Sequence, residues 1–138
     1  MPRSRASQTN YNHEAIAAML MRQGYQVRTN VLIGENIYGT GLRVGVLVNG
    51  ITRFPNGLII ESRTQEITGT TDEKLPYLVL NIREKYPHPT VLILDGDGFR
   101  PGAVVWVEEQ VNEKLIRVFT KLGHFRDWLI AIVDSEAK

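Results

Sequence analysis

The amino-acid sequence predicts an α/β domain built on a mixed β-sheet with helices on both faces. Three observations predict it. Residues 43–48 and 57–65 are strand-like segments separated by Asn49-Gly50 and Pro55-Asn56-Gly57, the residues that tight turns demand. Residues 90–94 form a short unbroken apolar run that ends in acids, the pattern of a strand buried on both faces and paired in parallel. Between the strands, apolar residues recur at helical spacing.

The elements follow in order. Asn12 is placed to cap a first helix over residues 12–23, with Glu14 in its first turn, Ile16, Met19 and Leu20 on one face, and Gly24 as the stop. Residues 25–33 read as a first strand, 43–48 as a second with clean alternation, and 57–65 as a third, the last two forming an antiparallel hairpin. Thr71-Asp72-Glu73 opens a second helix carrying Leu75, Leu78, Val79, Ile82 and Tyr86, with Pro76 tolerable because it falls near the first turn. The strand over residues 90–94 delivers Asp95 and Asp97 at its carboxyl end, and Pro101-Gly102 introduces a third helix with Ala103, Trp106, Val107 and Val111 on one face. Residues 115–119 are a fifth strand and 122–133 a closing amphipathic helix. The succession is α-β-β-β-α-β followed by an α-β-α extension. Residues 1–11 are expected to be a flexible basic N-terminus and residues 12–138 a single domain, with no repeat or linker dividing it.

Composition narrows the chemistry. With 138 residues and 43% hydrophobic content, the chain is sized for one core. No apolar run approaches bilayer length and Met1 to Asn12 is polar and basic, so a cytoplasmic protein without membrane contact is expected. The absence of cysteine excludes disulfides, zinc–thiolate sites and thiol nucleophiles, leaving oxygen donors and hard cations as the natural metal chemistry. His13, His88 and His124 show no ligand spacing, and His13 beside Glu14 is either an aid to a metal shell or, as first-turn histidines more often are, a solvated residue. The net charge of +1 is unevenly spread: residues 1–63 carry seven Arg against three Glu, whereas residues 64–138 carry an excess of acids. Arg3, Arg5, Arg22, Arg28, Arg43 and Arg53 are either a phosphate-facing surface or ordinary solvated residues.

Within the basic half, Glu61 and Arg63 stand two apart on a strand otherwise rich in Leu and Ile, so they share a face. Burying such a pair costs several kcal/mol unless each charge finds a partner, which points to a metal, a phosphate or a mutual ion pair. A wet strand face is the bland alternative. The Asp95-Gly96-Asp97-Gly98 turn lacks the ligand pattern of a calcium loop and reads as a strand-to-helix connection, with Arg100 placed for an anion if it binds one. Trp106 and Trp128 belong to apolar faces, while Tyr38 and Phe54 near loop tips are the better candidates for touching a ligand.

The succession α-β-β-β-α-β, together with Gly39-Thr40-Gly41-Leu42-Arg43-Val44, Leu58-Ile59-Ile60-Glu61-Ser62-Arg63-Thr64-Gln65 and Asp72-Glu73-Lys74-Leu75-Pro76-Tyr77, resembles the PD-(D/E)XK nuclease superfamily. The likeness covers most of the chain. It implies a restriction-endonuclease-like fold and a metal-dependent DNA endonuclease, in which a strand-two acid and a strand-three Glu hold Mg2+, or Mn2+, while a lysine positions the attacking water. Glu61 matches the motif Glu, and Glu14 sits where some members carry a helix-one acid. Two positions depart. Gly45, sixteen residues before Glu61, stands where the acid belongs, and Arg63 stands where the lysine belongs. Arginine stays protonated and clamps phosphate but is a poor base.

On this resemblance Glu61, Arg63, Gln65 and Lys74 are the candidate catalytic residues, with Glu14, Glu61 and Asp72 as metal ligands. Arg28, Arg43, Arg53 and Tyr38 are the candidate contacts to double-stranded DNA. A homodimer is expected, because cutting two strands needs two sites. The alternative is a protein that keeps the fold, has lost the chemistry, and binds DNA or partners an active subunit; Gly45→Asp with Arg63→Lys would then be the restoring pair. A small-molecule site at the Asp95 turn is a third class.

Overall fold

The computed structural model of the chain describes residues 5–65 and 71–136. Helix α1 (Arg5–Arg22) is followed by strands β1 (Gln26–Glu35), β2 (Gly41–Asn49) and β3 (Leu58–Thr64). A single 3-10 turn, Asp72–Lys74, leads into α2 (Leu75–Glu84), and β4 (Thr90–Asp95), α3 (Pro101–Glu108), β5 (Leu115–Phe119) and α4 (Leu122–Glu136) complete the order. The strands lie side by side in sequence order, antiparallel from β1 to β3 and parallel from β3 to β5.

Alternation along the strands divides the core. Ile59, Leu92 and Leu94 pack with Leu75, Val79 and Ile82 of α2 and Val107 of α3. Ile60, Val91 and Ile93 pack with Ile16 and Leu20 of α1 and Phe125 and Leu129 of α4. The sheet is therefore covered on both sides, as its unbroken apolar β4 requires. β3 is its central strand, which puts Glu61 in the middle of the molecule.

Helix α1 begins at Arg5, well before Asn12, so residues 5–11 are helical where a flexible arm was expected. Residues 1–4 and the side chain of Arg5 lie outside the described residues. The early turns carry no apolar stripe, which is why periodicity misses them. They face the polar end of β3 instead: Thr9 donates to Thr64 Oγ1 at 3.2 Å. Asn12 is not a cap. It is buried, and its amide donates to Asp95 Oδ2 at 2.8 Å and Ser62 Oγ at 3.4 Å.

Two irregularities open the sheet. Strands β2 and β3 pair only over Val46↔Ile60, Leu47↔Ile59 and Val48↔Leu58, whereas β3 continues beside β4 as far as Thr64↔Asp95. The strands therefore fork beyond Ile60. On the other side of β2, between the pairs Thr29↔Val46 and Val31↔Val44, Asn30 adopts φ 51°, a left-handed conformation that asparagine tolerates. There the strand changes sides: Val44 packs with the α2 and α3 layer and Val46 with the α1 and α4 layer.

Candidate functional site

The fork leaves backbone donors without a neighbouring strand, and buried donors must be satisfied. Two side chains do it. Gly45 N–H donates to Glu61 Oε1 at 2.5 Å, and Ser62 N–H donates to His13 Nε2 at 3.0 Å. An imidazole nitrogen that accepts must be unprotonated, and burial holds the His13 pKa below its ordinary value, with Arg63 lowering it further and Glu61 opposing. The histidine expected to be solvated is in fact 7% exposed.

Glu61 is closed on its other side too. Its Oε2 accepts from Arg63 Nη1 at 2.6 Å, so a carboxylate with 2% of its side chain exposed is neutralised by an arginine with 34% of its side chain exposed. The same Nη1 donates to Ser62 O at 3.0 Å, which anchors the arginine to the strand. The mutual ion pair, one of the three explanations for this pair, is present. Tyr86 lies buried nearby, and burial together with the Glu61 charge pushes its phenol well above the usual range, so it stays protonated.

The fork opens as a cavity of about 560 Å3, lined among others by His13, Glu14, Asn30, Arg43, Glu61 and Arg63. Arg43 is exposed at its rim and donates to Asn30 O at 3.0 Å. The sequence-predicted residues Glu14, Arg43, Gly45, Glu61 and Arg63 are thus brought together.

The remaining candidates lie elsewhere. Asp72, named with Glu61 as a metal ligand, accepts from Arg100 Nη1 at 2.9 Å and from the Arg100 backbone N–H at 3.3 Å, and it does not line the cavity. Gln65 turns its amide to the start of the 3-10 turn, donating to Gly98 O at 2.7 Å and accepting from the N–H groups of Thr71 and Asp72. Lys74 is exposed on that turn and is not a wall of the cavity. Arg53 reaches Ser135 near the end of α4, and Arg28 is exposed on β1. Tyr38 is 76% exposed at the β1–β2 hairpin tip, stacked on Tyr77 with ring centroids 5.3 Å apart. Phe54 packs against the α1 and α4 core, and Trp128 joins Phe119 and Phe125 in an aromatic cluster.

The model of the PD-(D/E)XK nuclease superfamily domain matches residues 4–132. The chain belongs to the PD-(D/E)XK nuclease superfamily. Its five-stranded mixed sheet flanked by four helices is the restriction-endonuclease-like α/β arrangement that the sequence order predicted. No curated protein matches the chain. Among solved structures it is similar to the crystal structure of a protein of unknown function, AF1548, at 14% identity and a TM-score of 0.45, covering 71% of this chain and 52% of that one. The chain spans about half the length of that structure. No helix among the described residues is long and apolar enough to cross a membrane.

PD-(D/E)XK nucleases generally use divalent metals, and the donors here can be tested against one. A hard cation takes several oxygen ligands, mostly carboxylates and waters. Among the described residues, no group of three or more His, Asp or Glu side chains is placed to hold an ion. Among the described residues, Glu14 and Glu61 are the carboxylates that line the cavity, and Glu61 has one oxygen on Arg63 and the other on Gly45 N–H. Nor can position 45 contribute. A Cβ there would stand 2.7 Å from His13 Nδ1 and closer still to Cε1 and Nε2. The arrangement does not fit a divalent cation.

Sequence reasoning weighed His13 only as an aid to a metal shell or a solvated residue, and missed its burial against Gly45 and Ser62. A signal for it exists: a lone glycine inside an apolar strand, Val44-Gly45-Val46, marks a place where something approaches closely.

Proposed function

We propose that this chain is a nuclease-fold protein that binds the phosphodiester backbone of DNA in the β2–β3 cleft without hydrolysing it. The observation that carries the reading is the closure of Glu61, both of whose oxygens are taken by donors of the chain itself. A metal-activated water needs a cation held by several free carboxylates, and of the two acids that line the cleft Glu61 is neutralised, which leaves Glu14. What remains is suited to recognition. Arg43, exposed at the rim, and Arg63, partly exposed in the wall, bring guanidinium groups to the cleft, which match phosphate in a bidentate fork, and membership of a nuclease superfamily supports nucleic acid as the partner. Double-stranded DNA is the expected form, and the cytoplasm the expected place.

A second reading has one observation in its favour. Glu14, Glu61 and His13 line the same cavity, so displacement of Arg63 by a phosphate would leave two carboxylates and an imidazole around it. In that reading the chain is an endonuclease using Mg2+ or Mn2+, working as a homodimer to cut both strands.

One gel separates them. Supercoiled plasmid incubated with the protein in Mg2+ or Mn2+ at low salt is expected to be retarded and to stay supercoiled. Nicking or linearisation that Glu61→Ala abolishes would establish the second reading. Plasmid neither retarded nor cut would remove both.

A further inference from the structure

We infer that His13 and Gly45 form a single lock: the imidazole fills the volume that a side chain at position 45 would need, and by excluding an acid there it keeps divalent cations out of the cleft. The inference rests on the non-hydrolysing reading above and extends it to a cause within the chain.

The ring is held from three sides. It is rooted on α1, it is 7% exposed, and its Nε2 is fixed by the Ser62 N–H that the forked sheet leaves over. A ring so held cannot swing away at little cost, because moving it strands a buried backbone donor. Residue 45 must then lack a Cβ, since any Cβ there falls within 2.7 Å of Nδ1 and nearer still to two other ring atoms. The backbone N–H of Gly45 ends on Glu61 Oε1, so the space in dispute lies directly beside the one carboxylate of the central strand. A carboxylate at 45 is the obvious second donor, and His13 excludes it. Simple reversion of the two departures from the family motif, Gly45→Asp with Arg63→Lys, therefore fails for a steric reason.

Two measurements test the lock. The first is a stability cycle using Gly45→Ala, which adds only a Cβ. In the wild-type background it is expected to lower the folding equilibrium constant about tenfold to a hundredfold, and in the His13→Ala background to change it by less than about threefold. Equal penalties in the two backgrounds overturn the inference.

The second is calorimetric titration with Mn2+ in the absence of DNA. Gly45→Asp/Arg63→Lys is expected to take up no Mn2+, whereas His13→Ala/Gly45→Asp/Arg63→Lys takes it up and loses that uptake when Glu61→Gln is added. A double variant that binds as well as the triple, or a folded triple variant that binds none, overturns the inference. Failure of the underlying reading looks different. Wild-type protein that takes up Mn2+ through Glu61 removes the non-hydrolysing reading and the lock together, while a silent wild type beside a silent triple variant removes the lock alone. If the charged variants do not fold, the stability cycle still decides.

Discussion

Two carboxylates in this molecule have nearly the same local chemistry and opposite surroundings. Glu61 and Asp72 each have 2% of the side chain exposed, and each meets an arginine Nη1, at 2.6 Å from Arg63 and 2.9 Å from Arg100. Each also accepts a backbone N–H, from Gly45 and from Arg100 respectively. Asp72, however, stands at the N-terminal end of a helical turn, where the backbone favours a negative charge, and its arginine is 51% exposed. Glu61 sits in the middle of the central strand, with no such dipole, on the wall of the cleft where the sheet forks. The comparison teaches that an ion pair alone does not mark a site. The Asp72 pair ties the start of α2 to the start of α3, and the Glu61 pair closes a cleft that the forked sheet has opened.

The largest expected effect breaks that comparison directly. Arg63→Met leaves Glu61 buried without its counter-charge and is expected to cost about 2–4 kcal/mol of stability near pH 8. Arg100→Met leaves Asp72 with its backbone donor and the helical turn, and is expected to cost about 1 kcal/mol. Urea denaturation of the two variants measures the difference; equal losses would mean that the surroundings do not distinguish the pairs.

The sequence made the frame of this comparison legible and left its partners hidden. The unbroken apolar run at residues 90–94, the turn residues of the hairpin and the helical spacing of Leu75, Leu78, Val79 and Ile82 each reflect burial of a whole face, which is written locally. That Glu61 and Arg63 share a face followed from their spacing of two. Which groups meet Glu61 did not, because the meeting depends on where β2 leaves β3 and on how α1 is set against the sheet. The same holds for Asp72, equally acidic on paper, which finds Arg100 far along the chain. The start of α1 was hidden because its first turns pack through Thr9 and Asn12, polar side chains that carry no hydrophobic period.

The next effect concerns His13 and pH. Its folded-state pKa lies below the ordinary 6.5, so the unfolded chain binds a proton more readily than the folded one. The stability due to neutral His13 is therefore fully present above pH 6.5 and is lost as pH falls below it toward the depressed value. His13→Gln, whose amide oxygen can accept from Ser62 N–H without titrating, is expected to flatten that part of the profile. Thermal denaturation between about pH 5 and 8, the range over which an unperturbed histidine changes charge, reads the effect, and an unchanged slope in the variant would place the titrating group elsewhere.

The smallest effect sharpens the claim that the Glu61 side, and not the Asp72 side, faces DNA. Arg43→Ala is expected to lower the slope of log K against log salt by about 0.9, the value for one lost phosphate contact. Arg100→Ala and Arg53→Ala, remote from the cleft wall, are expected to leave the slope unchanged. Fluorescence anisotropy with a labelled duplex at several salt concentrations separates these variants.

The account turns on a cleft that recognises phosphate without a metal, and anisotropy of a labelled duplex at low salt, first in EDTA and then in Mg2+ at matched ionic strength, tests it most directly. Binding of the same strength in both, with the duplex intact throughout, is the result predicted. Binding that appears only with Mg2+, accompanied by cutting that depends on Glu61, would contradict it.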